Sequence, residues 1–526
     1  MTATVARRRL VPHLAPGVAG IVALLALWEL AARANAGSFV IAGPVDVATY
    51  GFANAGLLGR ALAATLRNAA WGFVLGNAAA IGLAVTVILV PRLERLLSAL
   101  ALLVFCLPLV ATGPILRVVL GPGDGPQIAL AALAVYYTTF LALLVGLRAV
   151  PQSWLDLVRS HGRGAGAELV HVRAAASLPY FIAGLQIAAP AAILGAMIGE
   201  FTGAERGLGV LTIRAMRALD VDATWTIATI ASGASIAAYA ALGALGRHLT
   251  VAPPALLLAA PRAVRTLPRA FRFGETVAIA FVALCLWQGL MDAFGLNPYF
   301  AKRPSDVVAF LLTNADSAMN RATLLGALIE TMTFAVPGYL AGLALGAGLA
   351  CGVVLAPALA ATALPAAVAL RSVPIVTTAP LIVLALGRGA GGTIVIVAAM
   401  IFFPTLVACL RGLRQTPGQV IDIFESYASG RGRTLRLARI PAMLPAFFAA
   451  ARMGVPAAIL AVTTAEWLAT GKGIGSLMAL TASTSAYGML WSAVVVVALA
   501  AALAYAAIGR VERAVLAVYA PEQVAR

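Results

Sequence analysis

The chain has 526 residues, 62% hydrophobic and 11% charged, with a mean hydropathy of +0.97, which is far too apolar for a soluble multi-domain protein. Its 37 Lys and Arg against 20 Asp and Glu give a net charge of +17; in an apolar chain this excess is expected in cytoplasmic loops, where it fixes topology, and not on nucleic acid. Cys106, Cys285, Cys351 and Cys409 all lie in apolar runs without a C-x-x-C pair, which argues against a disulfide framework and against a zinc site.

A span needs about 20 mostly apolar residues, and about twelve such stretches follow one another along the chain. The first, residues 17–34, contains Trp28-Glu29 and lacks a small-residue cleavage site, so it reads as a retained span. With Arg7, Arg8 and Arg9 inside, successive inside loops carry Arg92 and Arg95, then Arg148, Arg159, Arg163 and Arg173, then Arg247, Arg262, Arg265, Arg269 and Arg272. Arg411, Arg414, Arg431, Arg433, Arg436 and Arg439 repeat the pattern, and Arg510 and Arg513 sit in the tail. The outside arginines Arg206, Arg214 and Arg217 are accompanied by the acids Glu205, Asp220 and Asp222. Both termini are therefore expected in the cytoplasm.

The same sequence occurs twice. An offset of 266 residues pairs Gly72 with Gly338, Pro108 with Pro374, Pro114 with Pro380, Pro151 with Pro417, Pro179 with Pro445 and Gly209 with Gly475. Upstream, "WELAARANAGSFVIAGPVDV" matches "WQGLMDAFGLNPYFAKRPSDV" at a slightly smaller offset. The reading is a first repeat over 1–247 (core about 57–247), a proline- and arginine-rich linker over 248–273, and a second repeat over 274–526 (core about 323–510). An even number of spans per repeat gives both the same orientation, and such parallel repeats enclose a solute path at their interface. The fold class expected is an all-α membrane protein with about twelve transmembrane helices in two parallel six-helix repeats.

Between the fourth and fifth spans of each repeat lies a long inside loop, "VPQSWLDLVRSHGRGAGAELVHVRAAASLP" and "TPGQVIDIFESYASGRGRTLRLARIPAMLP". Each opens on a proline, passes through two short helical patterns around a small-residue turn, and closes on Leu-Pro. Such a loop has a use; its physics alone leaves docking on a protein and lying on lipid headgroups as alternatives. The pattern resembles the "EAA" loop of type I ABC importer permeases. The Trp-Glu first span, the "P-[SV]-D-V" after it, the form "R-S-x-G" and the later "E-F-x-x-x-x-x-G-L-G" are most similar to the nitrate/sulfonate/taurine permease group.

That resemblance implies the type I permease fold, an inner-membrane location, two separate ABC ATPase subunits docking on 152–177 and 418–443, and an extracytoplasmic solute-binding protein. No cofactor is expected on this chain, since ATP and magnesium would sit on the ATPases. Carried over residue by residue, the loop positions are Arg159, Ser160, Gly162, Leu178 and Pro179, and Ser426, Ala428, Pro441, Leu444 and Pro445. Ala428 stands where the family has glycine, and Ala174-Ala175 stands where the second loop has Ile440-Pro441. Asymmetric coupling follows, with Gly162→Val expected to impair transport more than Ala428→Val.

A second paired feature is "GEFTGAERGLG" at 199–209 against "AEWLATGKGIG" at 465–475. Lys472 is followed by Gly473 and not by Ser or Thr, so this is no phosphate-binding loop; Arg206 is the partner of Lys472, and either could meet a docked protein or be solvated. Gly207, Gly209, Gly473 and Gly475 permit a sharp reversal. Glu200 and Glu466 occur in both copies and are expected either to cap this loop's backbone or to face one another at an outer gate. Glu29 and Glu330 lack acidic counterparts and read as structural. His13, His161, His171 and His248 show no metal spacing. An ion-coupled secondary transporter remains the alternative, with few intramembrane acids to serve it.

Overall fold

A computed structural model describes residues 14–35, 37, 41–249, 269–356 and 389–519, with isolated positions between 359 and 387. Arg7 to Arg9, His13, Arg262, Arg265, Pro374, Pro380 and most of the expected linker lie outside the described residues.

The described residues form helices and connections, without strands. Eight helices are long and apolar enough to cross a membrane: Ala55–Leu89, Gly125–Arg148, Ala165–Phe201, Val221–Leu249, Ser317–Leu355, Ala390–Arg414, Arg431–Leu468 and Tyr487–Tyr519. A ninth is added if Pro91–Phe105 and Leu109–Leu120, which meet at 95°, count as one broken span. The break falls at Pro108, whose missing N–H and fixed φ suit an extended residue just before a new helix.

The repeat is visible in the coordinates. Gln152–Ser160 returns as Gly418–Ser426, and the π turn Leu169–Arg173 as Leu435–Arg439, all displaced by 266 residues. The "P-[SV]-D" motif has a physical explanation: Pro44 and Pro304 open short helices at a position that needs no N–H, and Asp46 and Asp306 accept the backbone N–H of Gly43 and Arg303 at 3.0 and 2.9 Å. The first-span tryptophans also recur, with Trp28 against Trp225 and Trp287 against Trp491 at centroid distances of 5.4 and 5.5 Å.

Within each half the long helices approach closely. A methyl on Gly72 would lie 2.7 Å from the Ile128 carbonyl, and one on Gly338 2.8 Å from the Ile394 carbonyl, so hydrogen is the largest substituent that lets these backbones meet. The halves share a core: Val110, Leu130, Ile198 and Phe201 join Ala335, Ile396, Ile401 and Val462 in one buried cluster. Cys106 and Ala111, at the bend of the broken helix pair, pack with Leu324, Val455 and Ile474 of the other half.

Candidate functional site

Each of the two loop motifs folds as a helix, a reversal and a second helix. Gln152–Ser160 ends with the Gly162 N–H donating to the Arg159 carbonyl (2.8 Å) and the Arg163 N–H to the Val158 carbonyl (3.3 Å). Gly418–Ser426 ends identically, with Ala428 N–H to Glu425 and Ser429 N–H to Phe424, both at 2.9 Å. This is the Schellman closure, which needs a left-handed residue. Gly162 supplies it at φ +69, and Ala428 adopts it at φ +47.

The first loop alone has glycine at this turn, yet both loops make it: tight hydrogen bonding holds Ala428 in the same left-handed conformation. Valine is strained at both positions, but Gly162→Val gives up a strain-free glycine whereas Ala428 already bears left-handed strain of about 1 kcal/mol, so Gly162→Val remains the costlier change by about that amount. Because a left-handed alanine costs about 1 kcal/mol, Ala428→Gly is expected to stabilise the second loop by about that amount and Gly162→Ala to weaken the first equally. Amide hydrogen exchange over the two short helices reads both effects.

A correction concerns Leu178-Pro179 and Leu444-Pro445. Expected to separate the loop from the next span, both prolines lie inside continuous helices, Ala165–Phe201 and Arg431–Leu468. Pro179 and Pro445 each lie six residues beyond a π turn, and each interrupts the hydrogen-bond ladder of its helix without ending the helix. Pro441 sits just after the second π turn.

The loops differ in charge pairing. Arg159 Nε donates to Glu168 Oε1 at 2.7 Å, and Arg173 reaches Glu168 Oε2 at 3.3 Å while donating to the Leu147 carbonyl at 2.9 Å. Glu168 is buried between them and pushes the Arg159 guanidinium further above its ordinary value by hydrogen bond and charge. At the matching positions of the second loop stand Glu425, Thr434 and Arg439, and no such brace exists among the described residues. Ser160 and Ser426 donate to carbonyls of their own helices.

At the far end of Ala165–Phe201 lies the glycine loop. Glu200 is 1% exposed; its Oε2 accepts the Gly209 N–H at 2.7 Å and its Oε1 accepts the Thr65 hydroxyl at 2.7 Å, while Thr65 Oγ1 accepts the Leu208 N–H at 2.9 Å. The second half repeats the constellation: Gly475 N–H and the Thr331 hydroxyl reach Glu466 Oε2 at 2.8 and 3.0 Å, and Ile474 N–H reaches Thr331 Oγ1 at 2.8 Å. The glutamates thus cap the first turns of Leu208–Ala218 and Gly473–Ser483, each within its own half. Gly207 and Gly473 are left-handed, at φ +133 and +76, and a methyl on either would lie 2.1 Å from the glutamate carboxyl.

Sequence reading missed Thr65 and Thr331. Both are 135 residues from their glutamate, but their equal spacing was a signal, since they obey the same 266-residue register. Glu330 was read as merely structural; it accepts the Gly473 N–H at 2.9 Å and so adds a second carboxylate to one anchor only. Glu29 pairs with Arg33 at 2.7 Å. Arg206 and Lys472 are exposed beside the helix starts. Among the described residues no group of three potential metal ligands occurs.

One charged pair lies inside the helical bundle. Arg452 Nε and Glu512 Oε2 approach to 3.2 Å, both side chains about nine-tenths buried and at an angle that makes no hydrogen bond, with Arg452 5.7 Å from the Tyr505 ring centroid. At the matching positions of the first half stand the neutral Gln186 and Gly246.

The duplication finds its counterpart in known proteins. The sequence matches the family described as binding-protein-dependent transport system inner membrane component over residues 72–251 and again over 342–517. The chain belongs to that family. This permease is 32% identical over 218 residues to a probable ABC transporter permease protein of Haemophilus influenzae, covering 41% of this chain and 86% of the relative. It is 26% identical over 198 residues to the formylaminopyrimidine transport permease protein ThiX of Halalkalibacterium halodurans, covering 38% and 79%. It is 25% identical over 204 residues to the putative aliphatic sulfonates transport permease protein SsuC of Escherichia coli, covering 38% and 78%. Each relative thus corresponds to less than half of this permease, as two fused copies require. No solved structure matches it. The protein is a multi-pass inner-membrane permease component of an ABC importer.

Proposed function

We propose that this chain alone forms the solute path of its importer, doing the work of two permease subunits, and that a separate ATPase subunit docks on each of the segments 152–177 and 418–443. The observation that carries this reading is the duplicated loop: the same helix, Schellman reversal and π turn occur twice at one register, each continuous with a long apolar helix. Apolar side chains on the loops, Trp154, Leu157 and Val170 in one and Ile423, Tyr427 and Leu437 in the other, are exposed as a docking face would be.

In this reading each repeat holds six spans; among the described residues these are the first helix (Leu14–Ala34 or Arg269–Ala293) and four long helices in each half, and the broken pair around Pro108 in the first. The repeats run over 1–247 and 274–526 with a linker between them, and the loops and both termini face the cytoplasm because the arginines gather there. The glycine anchors then face outward, below an extracytoplasmic binding protein. ATP and magnesium belong to the ATPase subunits. The relatives named for formylaminopyrimidine and aliphatic sulfonates point to a small organic solute.

Co-purification with the neighbouring ATPase, followed by hydrolysis in liposomes with and without the binding protein, tests the reading. Two ATPase subunits per chain, with hydrolysis rising when loaded binding protein is added, is the expected result. Absence of any complex, with uptake following an ion gradient, would overturn it in favour of a secondary transporter.

A further inference from the structure

The two loops share a backbone and differ in electrostatics. In the first, Arg159 is tied to Asp156 and Glu168, and Arg173 to Glu168, so the charges neutralise one another. Of this loop's arginines, Arg163 alone makes no ion pair with any described residue. In the second, Asp422, Glu425, Arg431, Arg433, Arg436 and Arg439 make no ion pair with any described residue, and all but Arg439 are exposed. Arg433 and Arg436 are three apart on a helix and so share a face.

We propose that residues 418–439 are an electropositive docking surface for an acidic patch on one ATPase subunit, and that residues 152–173 receive the other subunit through a pre-braced, mainly apolar face. This rests on the loops being the ATPase contacts. The acceptor is a protein and not the anionic bilayer surface for two reasons. Asp422 and Glu425 stand exposed on the helix beside the arginines and would be repelled by lipid phosphates. Ile423, Tyr427 and Leu437 are exposed among the charges, the mixture of apolar anchors and charged rim that protein interfaces use. Lacking the Glu168 brace, the second loop takes its order and its charge balance from the partner. One importer then has two unlike ATPase contacts, one sensitive to salt and one not.

The test uses the full chain in phosphatidylcholine nanodiscs, co-expressed with the neighbouring ATPase, with subunit stoichiometry counted as sodium chloride rises from about 0.05 to about 0.3 M, over which the Debye length shortens about 2.4-fold. Two subunits at low salt, falling to one at high salt, is expected of the natural chain. Arg431→Gln/Arg433→Gln/Arg436→Gln should hold one subunit even at low salt, while Arg163→Gln should behave as the natural chain does. Because the triple variant could disturb the loop itself, Glu425→Arg/Thr434→Glu recreates the first loop's ion pair; it should slow amide exchange over 418–434 in the free chain. Two subunits on the triple variant at every salt concentration would overturn the proposal, as would unchanged exchange in the brace variant. So would a loss confined to nanodiscs containing phosphatidylglycerol, which assigns the arginines to lipid. No ATPase on the natural chain at any salt concentration is a different failure, that of the importer reading of the loops.

Discussion

Gly207→Ala and Gly473→Ala are each expected to destabilise the permease by about 3 kcal/mol, combining left-handed strain on a side chain of about 1 to 2 kcal/mol with overpacking of about 1 to 3 kcal/mol. The added methyl has nowhere to go, because it would lie 2.1 Å from the carboxyl of Glu200 or Glu466, and those carboxyls are themselves fixed by backbone N–H groups and a threonine hydroxyl. Gly471 separates the two contributions. It is equally left-handed at φ +69, but nothing lies within 4 Å of the place a methyl would take. Gly471→Ala should therefore cost only about 1 kcal/mol. The measurement is the fraction of monodisperse full-length protein after heating in detergent, and equal melting of Gly471→Ala and Gly473→Ala would refute the anchor geometry.

Glu512→Ala is expected to cost about 3 to 5 kcal/mol, since it strands Arg452 as a buried charge without its counter-ion. The first half of the molecule shows how to remove the problem. Arg452→Gln/Glu512→Gly installs the pair found there, Gln186 and Gly246, and should recover most of the loss. A double-mutant cycle in the same heating assay reads the coupling. If the double variant is as unstable as the sum of the singles, the two side chains are not a functional pair and the 3.2 Å approach carries no stabilisation.

Much of this was legible in the sequence because duplication prints each requirement twice. The 266-residue register placed both loops, both glutamates and both glycine reversals before any coordinates, and the helix boundaries keep that register. The chain's composition announced apolar spans, but a broken helix pair and the first helix of each half do not register as simple long spans, so among the described residues eight or nine are evident where about twelve were expected of the whole chain. The second Schellman turn was not legible from residue identity, since Ala428 accepts φ +47 when two backbone hydrogen bonds demand it. Thr65 and Thr331 escaped notice because a hydroxyl in an apolar helix is commonplace, and only the tertiary fold brings it to a glutamate 135 residues away. Leu-Pro misled for another reason: a proline reads as a helix stop, yet Pro179 and Pro445 lie inside helices that run on to Phe201 and Ala465.

The continuity of Ala165–Phe201 has a mechanical meaning. Its 37 residues make one body about 55 Å long, with the loop reversal at one end and the pinned glutamate at the other. A tilt imposed at either end must be taken up at the other or absorbed at Pro179 and Pro190, the places where the hydrogen-bond ladder is incomplete. Reciprocity then applies: whatever favours one tilt from the glycine end changes affinity at the loop end by the same factor, and the reverse holds equally. Arrival of a loaded solute carrier and closure of the motor would be two readings of a single lever, and stiffening the lever at its prolines would alter both together.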